Sequence, residues 1–146
     1  MPTIERTVHS PAPVATVQAY LRDVANTEEW DAPTISCEPL DPSAPIAVGK
    51  QWRNVSEFRG KRTELVYTLE VDEPGHLRIR GENETVTSQD DITMVADGSG
   101  TVVTYRADLT LKGAAKVATP VVSPALGRLG DDAERSLQDV LGRLPV

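Results

Sequence analysis

One alternating stretch, Thr101 to Leu111, constrains the fold of this chain more than any other part of the sequence. From Val103 onward, apolar and polar residues alternate along it, which is typical of a β-strand with one buried face. The preceding segment, Asp97 to Gly100, is a hairpin signal, so the strand before it, Thr85 to Ala96, is expected to pair with it antiparallel. The side chains predicted to face the core are Val103, Tyr105, Ala107, Leu109 and Leu111.

Similar alternation predicts further strands upstream, separated by turns that contain Pro and Gly. They are Ile4 to His9, Thr34 to Pro39, Lys50 to Phe58, Glu64 to Val71 and Leu77 to Arg80. Consecutive strands with short connections favour an antiparallel sheet that buries one face. The predicted inward-facing residues of these strands and of Thr85 to Ala96 include Trp52, Asn54, Ser56, Leu65, Tyr67, Leu69, Leu77, Ile79, Val86, Ser88, Asp90, Ile92 and Met94.

Helical spacing of apolar residues predicts two short helices after the first strand and a long helix at the C-terminus. The short ones cover Val14 to Val24 and Thr27 to Trp30. From Ala114 to the end the pattern is helical, but prolines lack the backbone N–H, so Pro120 and Pro124 are expected to interrupt it, with a fresh helix near Asp131. The prediction is one α+β domain over residues 1–146, a curved antiparallel sheet of about seven strands wrapped on the C-terminal helix.

The composition excludes several classes of function. The formal net charge is −7, which would repel the phosphate backbone of nucleic acids, so nucleic acid is not an expected partner. No apolar run has the length of a membrane span or a signal peptide, so the expected location is cytoplasmic, without integral membrane association. One cysteine, Cys37, excludes an internal disulfide. No metal-ligand spacing or nucleotide-binding motif is present, so no metal and no cofactor is expected.

The order of these elements resembles a known superfamily, the polyketide cyclase/dehydrase and lipid-transport group, also called START-like or SRPBCC. The resemblance covers nearly the whole chain and rests on segments at the ends of the predicted elements. It implies a helix-grip fold, as in birch-pollen-allergen-like proteins, with a cavity between sheet and C-terminal helix that takes a lipid, a polyketide or another hydrophobic molecule. The segments that carry it are Ile4 to Val8, Ser10 to Val14, Tyr20 to Asp23, Trp30-Asp31 and Val48 to Trp52.

The resemblance also implies that some members are cyclases or dehydratases. The aromatising cyclases of the family are thought to use an inward arginine to orient a poly-β-ketone. Here the arginines of the central strands fall on the predicted outward face, and only Arg6 falls on an inward face. The outward-facing arginines are Arg53, Arg78, Arg80 and Arg106.

The candidate ligand-binding residues line the predicted cavity. Two of them, Val117 and Val121, belong to Ala114 to Leu129, a segment interpreted as a movable lid. Weak candidates for an acid or base are Asp90, Tyr67 and Tyr105. Two interpretations stay open for them: the tyrosines fill the core with hydroxyls bonded to backbone, and Asp90 forms a solvated pair with Asp91. The ligand-binding candidates are Trp52, Asn54, Tyr67, Ser88, Tyr105, Val117 and Val121.

Three functions follow from these observations. The first is binding of a small hydrophobic molecule without chemistry. The second is a cyclase or dehydratase that uses a cavity Tyr or Asp as acid or base, without metal or nucleotide cofactor. The third is an interaction module that docks a protein segment in a shallow groove. A cavity with converging polar groups and a perturbed carboxyl pKa would favour the enzyme.

Overall fold

The computed structural model describes residues 3–58, 60–113 and 119–146. In these residues, one strand is followed by two short helices, six consecutive strands and a long C-terminal helix, which matches the expected α+β architecture. The strands are β1 (Thr3–Ser10), β2 (Thr34–Pro39), β3 (Gln51–Phe58), β4 (Lys61–Glu73), β5 (His76–Glu82), β6 (Val86–Asp97) and β7 (Gly100–Leu111). The helices are α1 (Val14–Leu21), α2 (Thr27–Trp30) and α3 (Thr119–Gly142), with a 3₁₀ turn at Val24–Asn26.

The strands form one antiparallel sheet in the order β1-β7-β6-β5-β4-β3-β2. Strands β2 to β7 pair with their neighbours in sequence, and β1 closes the other edge beside β7. Glycines with positive φ stand in the tight turns between strands, among them Gly75 (φ 82°) and Gly98 (φ 62°), where a side chain would be strained. The helix-grip topology implied by the sequence is therefore confirmed.

Alternation along the strands assigns the faces of the sheet as predicted. Leu69 and Leu77 are fully enclosed on the inner face, and Val103 and Ile92 lie beside them. The facing inverts at one of the two register shifts in the described strands, the bulge between Leu69 and Val71. Strict alternation would place Val71 on the inner face, but it lies opposite the outward-facing Arg78, and Asp72 takes the inner face opposite Leu77. Away from this bulge, the positions of the side chains that point at the helix could be read from period-two patterning.

The C-terminal helix differs from its prediction. Instead of a break at the prolines and a fresh start near Asp131, α3 runs without interruption from Thr119 to Gly142. Pro120 lies in the first turn, where backbone N–H groups have no intrahelical partner, so its missing N–H costs nothing there. Pro124 removes one backbone hydrogen bond, which a helix of 24 residues tolerates.

Helix α3 packs against β1 and the short helix α2. Its inner face buries Leu137 and Leu141 against the sheet. The Ser10 hydroxyl donates to the Leu141 carbonyl at 2.7 Å, and the Gln138 side chain bonds the backbone of His9 in both directions. In the described part of the chain, no helix combines the length and apolar character that a bilayer crossing requires.

Candidate functional site

A cavity of about 170 Å³ lies between the inner face of the sheet and α3. Strands β1, β3, β4, β6 and β7 supply its floor, α3 its roof, and the loop after α2 one side. Most of the lining is apolar, with a few polar groups, which is the usual make-up of a small-molecule site. The lining residues are Ile4, Asp31, Pro33, Ser56, Leu65, Tyr67, Ser88, Asp90, Tyr105, Ala107, Leu109, Leu129, Gly130 and Ala133.

Asp90, on β6, lines this cavity, as the alternation of its strand predicts. The Tyr105 hydroxyl lies close enough to the Asp90 carboxyl group to lower the pKa of Asp90. The Tyr105 ring packs edge-on against Trp30, with ring centroids 5.7 Å apart. The Tyr105 hydroxyl therefore faces a carboxyl group in the cavity, whereas one interpretation of the sequence had it bonded to the backbone.

Burial raises the pKa of Asp90 to about 7, and the negative charge of Asp31 contributes to the rise. The nearby Tyr105 hydroxyl opposes it in part. Burial also raises the pKa of Asp31, against a hydrogen bond from Thr34 that lowers it. Two carboxyl groups on separate elements thus face one cavity, and burial disfavours the ionisation of both.

The neighbouring Asp91 has the opposite environment, so the two carboxyl groups do not form a solvated pair. Asp91 points to the outer face of the sheet, where Arg78 Nε and His76 Nε2 each lie 2.9 Å from Asp91 Oδ1. Partial burial raises the pKa of Asp91, but the hydrogen bonds from His76 and Arg78 outweigh this and hold it below its usual value. Asp90 and Asp91 are adjacent in sequence and opposite in protonation behaviour.

Asp31 is the functional residue that the sequence interpretation missed. It caps the C-terminus of α2, and its Oδ2 accepts a hydrogen bond of 2.5 Å from the Thr34 hydroxyl. Asn54 Nδ2 donates to the same hydroxyl at 3.0 Å, and Ser56 Oγ donates to Asn54 Oδ1 at 2.6 Å. This chain of hydrogen bonds positions the carboxyl group. No periodicity marks Asp31 in the sequence, because it stands in a short connection between elements.

Two hydroxyl groups in the lining have no hydrogen-bond partner among the described residues. Tyr67 and Ser88 are 8% and 7% exposed, and both line the cavity. Every fully enclosed polar side-chain atom in residues 3–58, 60–113 and 119–146 has a partner, so these hydroxyls keep access to the cavity. A buried hydroxyl without a bond costs free energy unless water or a ligand satisfies it.

Gly81, on β5, makes room for this arrangement. A Cβ atom added at Gly81 would lie 2.2 Å from Tyr67 Cε1 and 2.9 Å from Ser88 Oγ. The tyrosine ring therefore lies directly over the glycine backbone, with the serine hydroxyl beside it. Gly81 lies one residue beyond the predicted strand Leu77 to Arg80, and its role emerges from the pairing of β4, β5 and β6.

The remaining predicted site residues lie outside the lining. Trp52 is 1% exposed and Asn54 is fully enclosed, so both belong to the core beside the cavity. Asn54 reaches the site through Thr34 and Ser56, whereas the part of Trp52 in binding stays a prediction. Val117 lies outside the described residues, as does the side chain of Val121, and the proposed lid around them also stays a prediction.

No basic side chain belongs to the cavity lining in the described part of the chain. The arginines of the central strands point outward and pair with acidic neighbours on the outer face of the sheet. Arg6 does face inward, as predicted, but Asp131 and Glu134 of α3 hold its guanidinium group at 3.0 and 3.6 Å. The cavity therefore lacks the free inward arginine that the sequence resemblance associates with aromatising cyclases.

Comparison with known proteins agrees with this fold. The family model for polyketide cyclase / dehydrase and lipid transport matches residues 1–144. A START superfamily protein from Mycobacterium smegmatis superposes with a TM-score of 0.77 at 15% identity, covering 95% of this chain and 96% of its own. The protein TTHA0849 from Thermus thermophilus has a TM-score of 0.77 at 17% identity, covering 96% and 97%.

A third solved structure, the Zhui aromatase/cyclase from Streptomyces sp. R1128, has a TM-score of 0.72 at 16% identity and covers 95% of this chain and 90% of its own. At such identities the structures show a shared fold and leave the ligand open. No curated protein sequence matches the chain. The family match spans almost every residue, and the cavity lies where the fold predicts it, so the chain belongs to the polyketide cyclase / dehydrase and lipid transport family.

Proposed function

We propose that this protein binds a small, largely apolar molecule in the cavity between the sheet and α3, and bonds its polar group at one wall. The observation that carries the proposal is the pair of unpartnered hydroxyls of Tyr67 and Ser88, both more than nine-tenths buried and both lining the cavity. A ligand atom that hydrogen-bonds to them would remove the cost of their desolvation. The apolar lining supplies the rest of the affinity through burial of ligand surface.

The size of the cavity limits the buried part of the ligand. An apolar cavity of about 150 Å³ holds one benzene molecule, so about 170 Å³ admits one six-membered ring with a short substituent. Benzyl alcohol is a suitable probe, because it has one ring and one hydroxyl group that donates and accepts.

The experiment is an NMR titration of the ¹⁵N-labelled protein with benzyl alcohol. We expect saturable shifts at amides of β4, β6 and β7, and an affinity that falls by about fivefold or more in Tyr67→Phe, since one hydrogen bond is lost. Tyr20→Phe is the matched control, because the Tyr20 hydroxyl bonds Glu29 at 2.6 Å, outside the cavity lining. Absence of saturable shifts at the cavity strands would overturn the proposal.

A second candidate function is acid–base catalysis on the bound molecule, of the cyclase or dehydratase type. It is favoured by Asp90, whose pKa of about 7 suits a group that gives or takes a proton near neutral pH. The test is water loss from a β-hydroxyketone that carries one phenyl ring, followed by the ultraviolet absorbance of the conjugated enone product. Catalysis should be lost in Asp90→Asn and kept in Asp91→Asn; equal rates in both variants and in buffer would rule it out.

A further inference from the structure

The charges that line the cavity indicate which kind of polar group the ligand carries. Asp31 and Asp90 approach the cavity from different elements, and the negative charge of Asp31 disfavours ionisation of Asp90. No Lys, Arg or His side chain is part of the lining in the part of the chain that the structure describes. Buried carboxyl groups are normally paired with a cation, because an isolated buried charge is costly.

Arg6, the arginine that faces inward, is not available to these carboxyl groups. Arg6 comes close to the helix at Gly130, but its guanidinium group bonds the Gly127 carbonyl and the carboxylates of Asp131 and Glu134. The ionisable groups that interact with Asp90 are acidic or phenolic. They are Asp31, Asp91, Asp108, Tyr67 and Tyr105. A positive charge at this wall must therefore come from outside the described chain.

The unpartnered hydroxyls of Tyr67 and Ser88 line the same cavity as these two carboxyl groups. Hydroxyl oxygens accept hydrogen bonds as well as donate them, and carboxylates only accept. An alkylammonium group donates three hydrogen bonds from one atom, which suits a wall of two carboxyl groups and the hydroxyls of Tyr67 and Ser88. A divalent metal suits it less well, since residues 3–58, 60–113 and 119–146 contain no group of three or more His, Cys, Asp or Glu side chains placed to hold one.

We infer that the ligand of this cavity is a small primary amine, whose ammonium group lies between Asp31 and Asp90 and bonds the hydroxyls of Tyr67 and Ser88. Its apolar body, of about one ring, packs against Leu65, Leu109 and Leu129, among other lining residues. This inference rests on the proposed function and narrows it to one ligand class. Anionic ligands are excluded by repulsion, and neutral ones leave the two carboxyl groups uncompensated.

The test compares three ligands of equal size by the same NMR titration: benzylamine, benzyl alcohol and benzoate. At pH 8 we expect benzylamine to bind at least about tenfold more tightly than benzyl alcohol, since bonds to charged groups are the stronger ones. Benzoate should not bind. Asp90→Asn should remove most of the preference for the amine and keep the binding of benzyl alcohol. Asp91→Asn is the matched control, with a carboxyl group one residue away on the outer face, and should keep the preference.

The outcomes separate the inference from the proposed function. If benzyl alcohol binds at the cavity strands and benzylamine binds no better, the amine inference is overturned and the binding function stands. If neither compound binds to folded protein, both are overturned. A preference for benzylamine that survives in both Asp31→Asn and Asp90→Asn would also overturn the inference, because the ammonium group would then lie elsewhere.

A pH series gives a second readout that a purely structural role of Asp90 would not produce. Alkylammonium groups, like that of lysine with a pKa of about 10.4, stay charged throughout the neutral range. The affinity for benzylamine should therefore rise from pH 5 to pH 8 as the carboxyl groups ionise, and saturating amine should lower the pKa of Asp90, followed by its carboxyl ¹³C shift, by about one unit or more. An unchanged titration curve would contradict the inference.

Discussion

Asp90 shows how one residue acquires its chemistry from its surroundings. Its neighbour Asp91 has the same side chain on the same strand, yet the pKa of Asp90 is raised to about 7 and that of Asp91 is lowered. The difference follows from the faces of the sheet: one carboxyl group lies in a cavity without cations, and the other bonds Arg78 and His76. Strand alternation therefore converts one residue of sequence separation into opposite electrostatic environments.

Asp90→Asn should stabilise the ligand-free protein at pH 8 and leave it unchanged near pH 4. The pKa of Asp90 rises from about 3.9 in the unfolded chain to about 7 in the folded protein. Below about pH 4 its carboxyl group is protonated in both states and does not lower the free energy of unfolding. The penalty grows as pH rises and is complete above pH 7. By linkage, the difference between a pKa of about 7 in the folded protein and about 3.9 in the unfolded chain amounts to about 4 kcal/mol at pH 8. Urea unfolding at pH 4.5 and pH 8 measures the difference.

The neighbouring carboxyl group supplies the control with the opposite sign. Asp91→Asn should destabilise the protein at pH 8, because the folded state lowers the pKa of Asp91 and so gains stability from its ionisation. This loss should shrink as the pH falls through the acidic range. If both variants shift stability in the same direction at pH 8, the assignment of the two carboxyl groups to different environments is wrong.

At the scale of elements, the approach of α3 to β1 forms one edge of the cavity. Gly130 sits at the closest point: a Cβ atom there would lie 2.7 Å from Ile4 Cγ2 and 2.8 Å from an Arg6 guanidinium nitrogen. Three residues earlier in the same helix, Gly127 has open space at the same position. Packing requires a glycine at position 130 and does not require one at position 127.

Gly130→Ala should destabilise the protein by about 1–3 kcal/mol, because overpacking at a tight contact forces side chains to shift. Gly127→Ala is expected to stabilise it by up to about 1 kcal/mol, since alanine is the better helix former. Thermal unfolding of the two variants at pH 7 gives the comparison. A gain in stability from Gly130→Ala would contradict the close packing of α3 on β1.

At the scale of the whole molecule, the fold assembles the site from parts that are distant in sequence. Asp31 comes from the end of α2, Tyr67 from the fourth strand and Asp90 from the sixth. The network Ser56–Asn54–Thr34 connects β3 to the loop that carries Asp31. The electrostatic interaction between the two aspartates exists only because the sheet and α2 pack together.

A double-mutant cycle should detect this interaction. At pH 8, Asp90→Asn should stabilise the protein less in the Asp31→Asn background than in the wild type, because the repulsion between the carboxylates is already absent. Contacting charged residues typically give coupling energies of about 0.5–3 kcal/mol. The corresponding cycle of Asp31→Asn with Asp91→Asn should be additive to within about 0.5 kcal/mol. Additivity in the first cycle would mean that the two cavity carboxyl groups do not interact.

Much of the fold was predictable because its signals are local. Away from the bulge after Leu69, period-two patterning assigned the inward faces of β3 to β7, and with them the placing of Tyr67, Ser88, Asp90 and Tyr105 on the inner face. The prediction for α3 was wrong in one respect, the break near Asp131. Proline patterning takes no account of position within a helix, and Pro120 falls in the first turn, where it is tolerated.

The sequence by itself determined which side chains point inward along each unbroken stretch of strand, because alternation is a property of the backbone that needs no partner, whereas the bulge after Leu69 had to be seen in the structure. Only the tertiary structure decided which of those side chains share a cavity, since that depends on strand order, on the approach of α3 at Gly130 and on a connecting loop that positions Asp31. The pKa of Asp90 is one of the properties that only the tertiary structure decided. Its main causes, desolvation and the charge of Asp31, arise when distant segments exclude water together.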